Sequence, residues 1–111
     1  MPANARRGEV AAVLDGREVK LRLTLGALAE LESAFAVEDL GALVARFSTG
    51  KLSATDMVRI IAAGLRGAGA QVNDEEVAAM HCEDGAAGYA RIVSDLLTQT
   101  FGRRDQAPPN P

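Results

Sequence analysis

The chain has 111 residues, the size of one domain around one core, and too small to divide into two. Hydrophobic residues make up 48% of it but aromatics only 4%, so the core must be built from Leu, Val, Ile and many Ala, a composition that favours close helix packing. A formal net charge of −3 leaves no general positive surface, which argues against generic nucleic-acid or anionic-membrane binding as the main role.

Residues 1–7, with Pro2, Asn4, Arg6 and Arg7, show no periodic pattern and are read as a flexible N-terminal arm. No charged segment leading into an apolar run opens the chain, so the expected location is the cytoplasm. No apolar run approaches the roughly 18 residues that span a bilayer, and no membrane association is expected.

Two short runs, 8–14 and 17–23, flank Asp15-Gly16, a dipeptide suited to a two-residue hairpin turn because Gly accepts positive φ at little cost. Setting Leu14 opposite Arg17 puts Ala12 opposite Val19, Val10 opposite Leu21 and Glu9 opposite Arg22. Val10, Ala12, Val19 and Leu21 then share one face, with Ala11, Val13, Glu18 and Lys20 on the other. A lone hairpin is marginal in water. Its apolar face must therefore pack on helices that follow, or be extended by strands of a neighbouring subunit.

Thr24 is placed to cap a helix through Ala36, with Leu25, Leu28, Leu31 and Phe35 near helical spacing and Glu30 and Glu32 on the wet side. After Glu38-Asp39, the residues Leu40, Leu43, Val44 and Phe47 give the i, i+3, i+4, i+7 pattern of a second helix, closed by Gly50. Ser53-Ala54-Thr55-Asp56 resembles a capping box and opens a third helix bearing Met57, Ile60, Ile61 and Leu65, which should stop near Gly67 to Gly69. Asn73-Asp74-Glu75-Glu76 is another helix start, leading to Val77 and Met80, with its acids at the positive end of the helix dipole. Tyr89, Ile92, Val93, Leu96, Leu97 and Phe101 form the clearest stripe in the chain, ended by Gly102. Residues 103–111 are polar with three prolines and read as a disordered tail.

Chemistry has few places to reside. His81 is the single histidine and Cys82 the single cysteine, adjacent to Glu83 and Asp84. Neighbouring side chains diverge, whereas a metal needs ligands that converge from separated positions, and a catalytic thiolate usually takes its histidine from elsewhere in the fold. A helix-end His and a half-buried Cys explain the pair. Gly64, Gly67 and Gly69 follow a helix and lack a Gly-Lys-Ser/Thr ending, so they are read as a helix terminator and not a phosphate cradle. Glu75 and Glu76 are explained by capping. Two short helices over 53–80 have the outline of a helix-turn-helix, but a second helix that begins Asn73-Asp74-Glu75-Glu76 would repel phosphate. No catalytic residue, cofactor or metal site is expected.

The string Leu21-Arg22-Leu23-Thr24-Leu25-Gly26-Ala27-Leu28-Ala29-Glu30-Leu31-Glu32, preceded by Arg7-Gly8-Glu9-Val10 and Leu14-Asp15-Gly16, resembles the small tail proteins of gene transfer agents and related tailed phages. Phe47-Ser48-Thr49-Gly50, Leu52-Ser53 and Gly64-Leu65-Arg66-Gly67-Ala68-Gly69 are similar to that family in order. The likeness covers roughly residues 7–101. It implies a tail-morphogenesis protein, described either as tail-tube-like or as a tail-assembly chaperone that keeps a tape-measure protein soluble while tube subunits polymerise.

The expected fold is α+β, mostly α: a hairpin (8–23) on about five short helices (24–102) in one tail-assembly-type domain, 8–102. A tube subunit would be expected to show long strands that close a ring, so the helical pattern favours the chaperone. The implied partners are the tape-measure and tail-tube proteins, with association between copies left open. A structural component retained in the particle is the first alternative; a small DNA-binding regulator is one of another class. Surface logic nominates Arg6, Arg7, Arg17, Lys20, Arg22, Phe101, Arg103 and Arg104 for partner contacts, because the arm, the hairpin edge and the end of the last helix offer flexible charge or unpaired backbone.

Overall fold

A computed structural model describes residues 8–49 and 51–102. Among them an antiparallel hairpin of β1 (Val10–Leu14) and β2 (Arg17–Leu21) precedes α1 (Leu25–Ala34), α2 (Leu40–Ser48), α3 (Ala54–Gly67), α4 (Asp74–Ala78) and α5 (Gly85–Phe101). This is the mostly helical α+β architecture the sequence implies.

The hairpin register is the expected one, with Val10 opposite Leu21, Ala12 opposite Val19 and Leu14 opposite Arg17. Asp15 and Gly16 take φ of 55° and 74°, the two positive values of the turn whose twist matches a hairpin. The strands are shorter than the runs that suggest them. β2 leaves the ladder after Leu21, where the Arg22 N–H turns to the Gly64 carbonyl of α3 at 2.8 Å.

Side-chain caps start four of the helices. Thr24 Oγ1 accepts the Ala27 N–H at 3.1 Å, and Asp39 Oδ1 accepts that of Ala42 at 2.8 Å. Ser53 with Asp56, and Asn73 with Glu76, make reciprocal capping boxes, so the shorter Asp serves at the last position of the first box. The Gly50 stop proposed for α2 lies outside the described residues. Gly102, at φ 75°, ends α5 as expected.

Several sequence expectations need correction: α1 stops at Ala34 short of Ala36, and α4 stops at Ala78 before reaching Met80. Leu25 is 75% exposed. At about 100° per residue it sits well away from the centre of the stripe that Ala27, Leu28 and Leu31 bury, so it belongs to the solvent side despite its spacing. The glycines at 64, 67 and 69 do not act together as a terminator. Only Gly69, at φ +104°, lies past the helix, while Gly64 and Gly67 are inside it and permit close packing. A Cβ on Gly64 would stand 2.7 Å from Leu96 Cδ2, and one on Gly67 would overlap the Arg22 carbonyl oxygen.

α3 is the centre of the domain. Every residue from 60 to 65 is buried, and the helix packs against β2, α1, α4 and α5. Leu14 and Leu21 from the hairpin, Leu31 from α1, Leu43 from α2 and Leu96 from α5 complete a single aliphatic core around Ile60 and Ile61. The hairpin's apolar face is thus covered by the protein's own helices.

Candidate functional site

α5 has two apolar sides, and the core takes only one of them. Ile92, Val93 and Leu96 are buried. Tyr89, Leu97 and Phe101 are half-buried and, with Val93, repeat at the i+4 spacing that aligns side chains along a helix. Three hollows lie along this second side. One of about 160 Å³ is lined by Met57, Val58, Ile61, Val77 and Tyr89. The next, of about 390 Å³, shares Met57 and adds Phe47, Leu52, Val93 and Leu97. A third, of about 420 Å³, shares Phe47 and Leu97 and reaches Val44 and Phe101. Together they form an apolar groove with α5 on one side and α2 and the start of α3 on the other.

Most polar groups near the groove are already engaged. The Tyr89 hydroxyl donates to the Met80 carbonyl, and burial raises its pKa, so it serves as a wall and tether. Ser48 Oγ donates to the Val44 carbonyl at 2.8 Å. Arg46 Nη2 lies 3.0 Å from Asp56 Oδ2 at the junction of α2 and α3. Burial pushes the Asp56 carboxyl up, but the Ser53 N–H and the Arg46 guanidinium outweigh it and hold it below the usual aspartate range. Arg66 joins Glu30 at 2.9 Å and Asp74 at 3.3 Å, tying α1 and α4 to α3. The Glu30 hydrogen bond leads in raising its pKa. These groups stabilise positions; nothing in their arrangement aligns a nucleophile with a base. The geometry suits binding of apolar surface.

The His81 segment has a structural duty. Its N–H donates to Asp15 Oδ1 and its carbonyl accepts the Asp15 N–H, both at 2.8 Å, clamping the hairpin turn to the loop before α5. Cys82 is half-buried against Gly88, where a Cβ would overlap its sulfur. No group of three or more His, Cys, Asp or Glu placed to hold a metal ion occurs among the described residues.

The nominated contact residues do not form one site. Arg17 and Lys20 are exposed on β2. Arg22 is half-buried, and its Nε is buried without a hydrogen-bond partner among the described residues. Phe101 lines the far end of the groove. Arg6, Arg7, Arg103 and Arg104 lie outside the described residues. Val44, Phe47, Met57 and Leu97 build the groove from positions whose helical spacing marks them as core, and the doubled stripe on α5 (92 and 96 beside 89, 93, 97 and 101) carries the signal that sets the groove apart.

The family described as phage tail tube protein, GTA-gp10, matches residues 7–103 of this chain. The chain belongs to that family. The match spans the hairpin and all five described helices, in agreement with the likeness carried by the sequence around Leu21 to Glu32. Among curated proteins and among solved structures, no match was found. Membership of the tail tube family supports a tail-related structural role for the chain. No helix among the described residues is long and apolar enough to cross a membrane.

Proposed function

We propose that this tail protein acts during assembly as a chaperone, binding the tape-measure protein in the cytoplasm and keeping it soluble while tube subunits polymerise around it, with no enzymatic step. The observation that carries this reading is the groove along α5. From Tyr89 to Phe101 it follows about 18 Å of helix, enough for roughly three turns of an amphipathic helix laid into it. Long strands able to close a ring are not found among the described residues, where the one sheet has two strands of five residues each.

A second reading is favoured by the family's own description as a tail tube protein: a component that stays in the tail and associates with other tail proteins or with further copies. Two measurements separate the readings. Co-expression should increase the soluble fraction of the tape-measure protein, and purified particles should hold the chain in less than ring stoichiometry by quantitative mass spectrometry. Ring amounts in the particle would establish the second reading instead.

A further inference from the structure

The hairpin has two edges of different character. When a two-residue turn joins antiparallel strands, the residues flanking the turn exchange both backbone hydrogen bonds, and alternate residues then point their N–H and C=O outward. With Leu14 opposite Arg17, the outward groups belong to Ala11 and Val13 on β1 and to Asp15 in the turn beyond it, and to Glu18 and Lys20 on β2 and to Arg22 just after it. The β2 edge bears the charges by which sheets discourage further pairing, and Arg22 closes its end on the Gly64 carbonyl. The β1 edge reads Val-Ala-Ala-Val-Leu, with no charge and no proline.

One outward group on the β1 side, in the turn, is already paired. The Asp15 N–H meets the His81 carbonyl, so the chain leading to α5 begins to run beside this edge. Further along, the outward groups of Ala11 and Val13 have no partner among the described residues, and Val13 is 48% exposed. Beside them lies a hollow of about 280 Å³ lined by Ala11, Val13, Glu83, Asp84, Arg91 and Asp95. Asp84 and Arg91 pair at 3.1 Å, whereas Glu83 and Asp95 are exposed with no ion-pair partner among the described residues. An acidic rim therefore flanks an open, uncharged strand edge. It lies on the opposite flank of α5 from the apolar groove, at positions 88, 91, 92 and 95 instead of 89, 93 and 97.

We propose that the β1 edge docks an extended segment of a partner protein that carries lysine or arginine at alternate positions. The segment's main chain pairs with Ala11 and Val13, adding a third strand. Its basic side chains, two residues apart and hence on one face, reach Glu83 and Asp95. A second copy of β1 fits less well, because antiparallel pairing of two copies brings two acidic rims together. The site is independent of whether the protein is a chaperone or a retained component.

The test uses the isotope-labelled full chain and two blocked five-residue peptides, one alternating valine with lysine and the other valine with glutamate. The lysine peptide should shift the Ala11 and Val13 amide resonances, and the glutamate peptide should bind at least tenfold more weakly. Ala11→Pro removes an outward donor that the hairpin ladder does not use and should weaken binding at least tenfold. Glu83→Gln with Asp95→Asn, two exposed changes that leave the fold intact, should weaken it several-fold, more at low salt than at high. Equal binding of both peptides, or shifts confined to Leu97 and Phe101 in the α5 groove, would overturn the proposal. So would concentration-dependent self-association that protects the Ala11 and Val13 amides, since the occupant would then be a second copy.

Discussion

Arg46 and Asp56 are joined at 3.0 Å across the α2–α3 junction, and the same guanidinium lies 5.4 Å from the centre of the Phe35 ring. One side chain thus links α2 to the start of α3 and to the end of α1, beside the edge-to-face contact of Phe35 with Phe47. Asp56 is the buried charged residue among those described, and it also accepts the Ser53 N–H at 3.1 Å. Asp56→Asn keeps the shape and loses the charge, and should cost about 1–2 kcal/mol in urea unfolding. The folded pKa is depressed below the ordinary 3.8, so the contribution is complete above that value and is lost as pH falls through the lower folded value. The wild-type protein should therefore lose stability below about pH 4 more steeply than Asp56→Asn, as read from unfolding midpoints across the acid range.

Replacing a helical glycine with alanine ordinarily stabilises a helix by about 1 kcal/mol. Gly67 should reverse that sign. Its missing side chain admits the Arg22 carbonyl, a main-chain atom that cannot rotate away. Gly67→Ala should cost about 2–4 kcal/mol as the strand-to-helix linker is pushed off α3. Gly64→Ala should cost less, because the nearest obstacle is the end of the Leu96 side chain. Thermal unfolding of the two variants checks both the sign and the order.

Local signals carried most of the fold. Asp15-Gly16, Thr24, the Ser53 to Asp56 box and Asn73 with Glu76 each act within three or four residues, and each marks an element boundary in the structure. What did not show in the sequence depends on contacts between distant segments. Nothing near Gly64 or Gly67 announces that β2 and its linker will cross α3 there. The division of the α5 stripe into a core side and a groove side depends on where α2 and α3 come to rest. The contrast between the two hairpin edges is present in the residue types, yet the charges of Arg17, Lys20 and Arg22 point to β2, the edge less suited to pairing.

Ala36 shows the same gap between local signal and structure. The sequence suggested that α1 runs through Ala36, but the helix ends at Ala34, and Ala36 takes φ 56°. The Val37 N–H bonds to the Glu32 carbonyl at 3.0 Å and the Ala36 N–H to the Ser33 carbonyl at 3.2 Å, the paired bonds of a left-handed helix stop. Glycine normally fills that position, and its absence hid the stop. Ala36→Gly should stabilise the protein by about 1 kcal/mol by removing the steric cost of the left-handed conformation. A raised unfolding midpoint with an unchanged denaturant slope would confirm it; a lowered midpoint would show that the strain is absent.

The groove on α5 makes the proposed chaperone role testable apart from folding. Leu97 is half-buried and lines two of the three hollows, whereas Leu96 beside it is fully enclosed in the core. Leu97→Lys places a charge where an apolar client helix would lie, while its long aliphatic stem can carry the ammonium to solvent. Stability should fall by no more than about 1–2 kcal/mol, since little fully buried area is lost. Solubilisation of the co-expressed tape-measure protein should fall at least tenfold, the consequence of setting an unpaired charge against apolar surface. Leu96→Ala provides the contrast: it should destabilise the fold by about 2–5 kcal/mol yet leave the groove's lining in place. At a temperature where both variants remain folded, Leu96→Ala should still hold the client and Leu97→Lys should not. If both retain it equally, the groove does not hold the client.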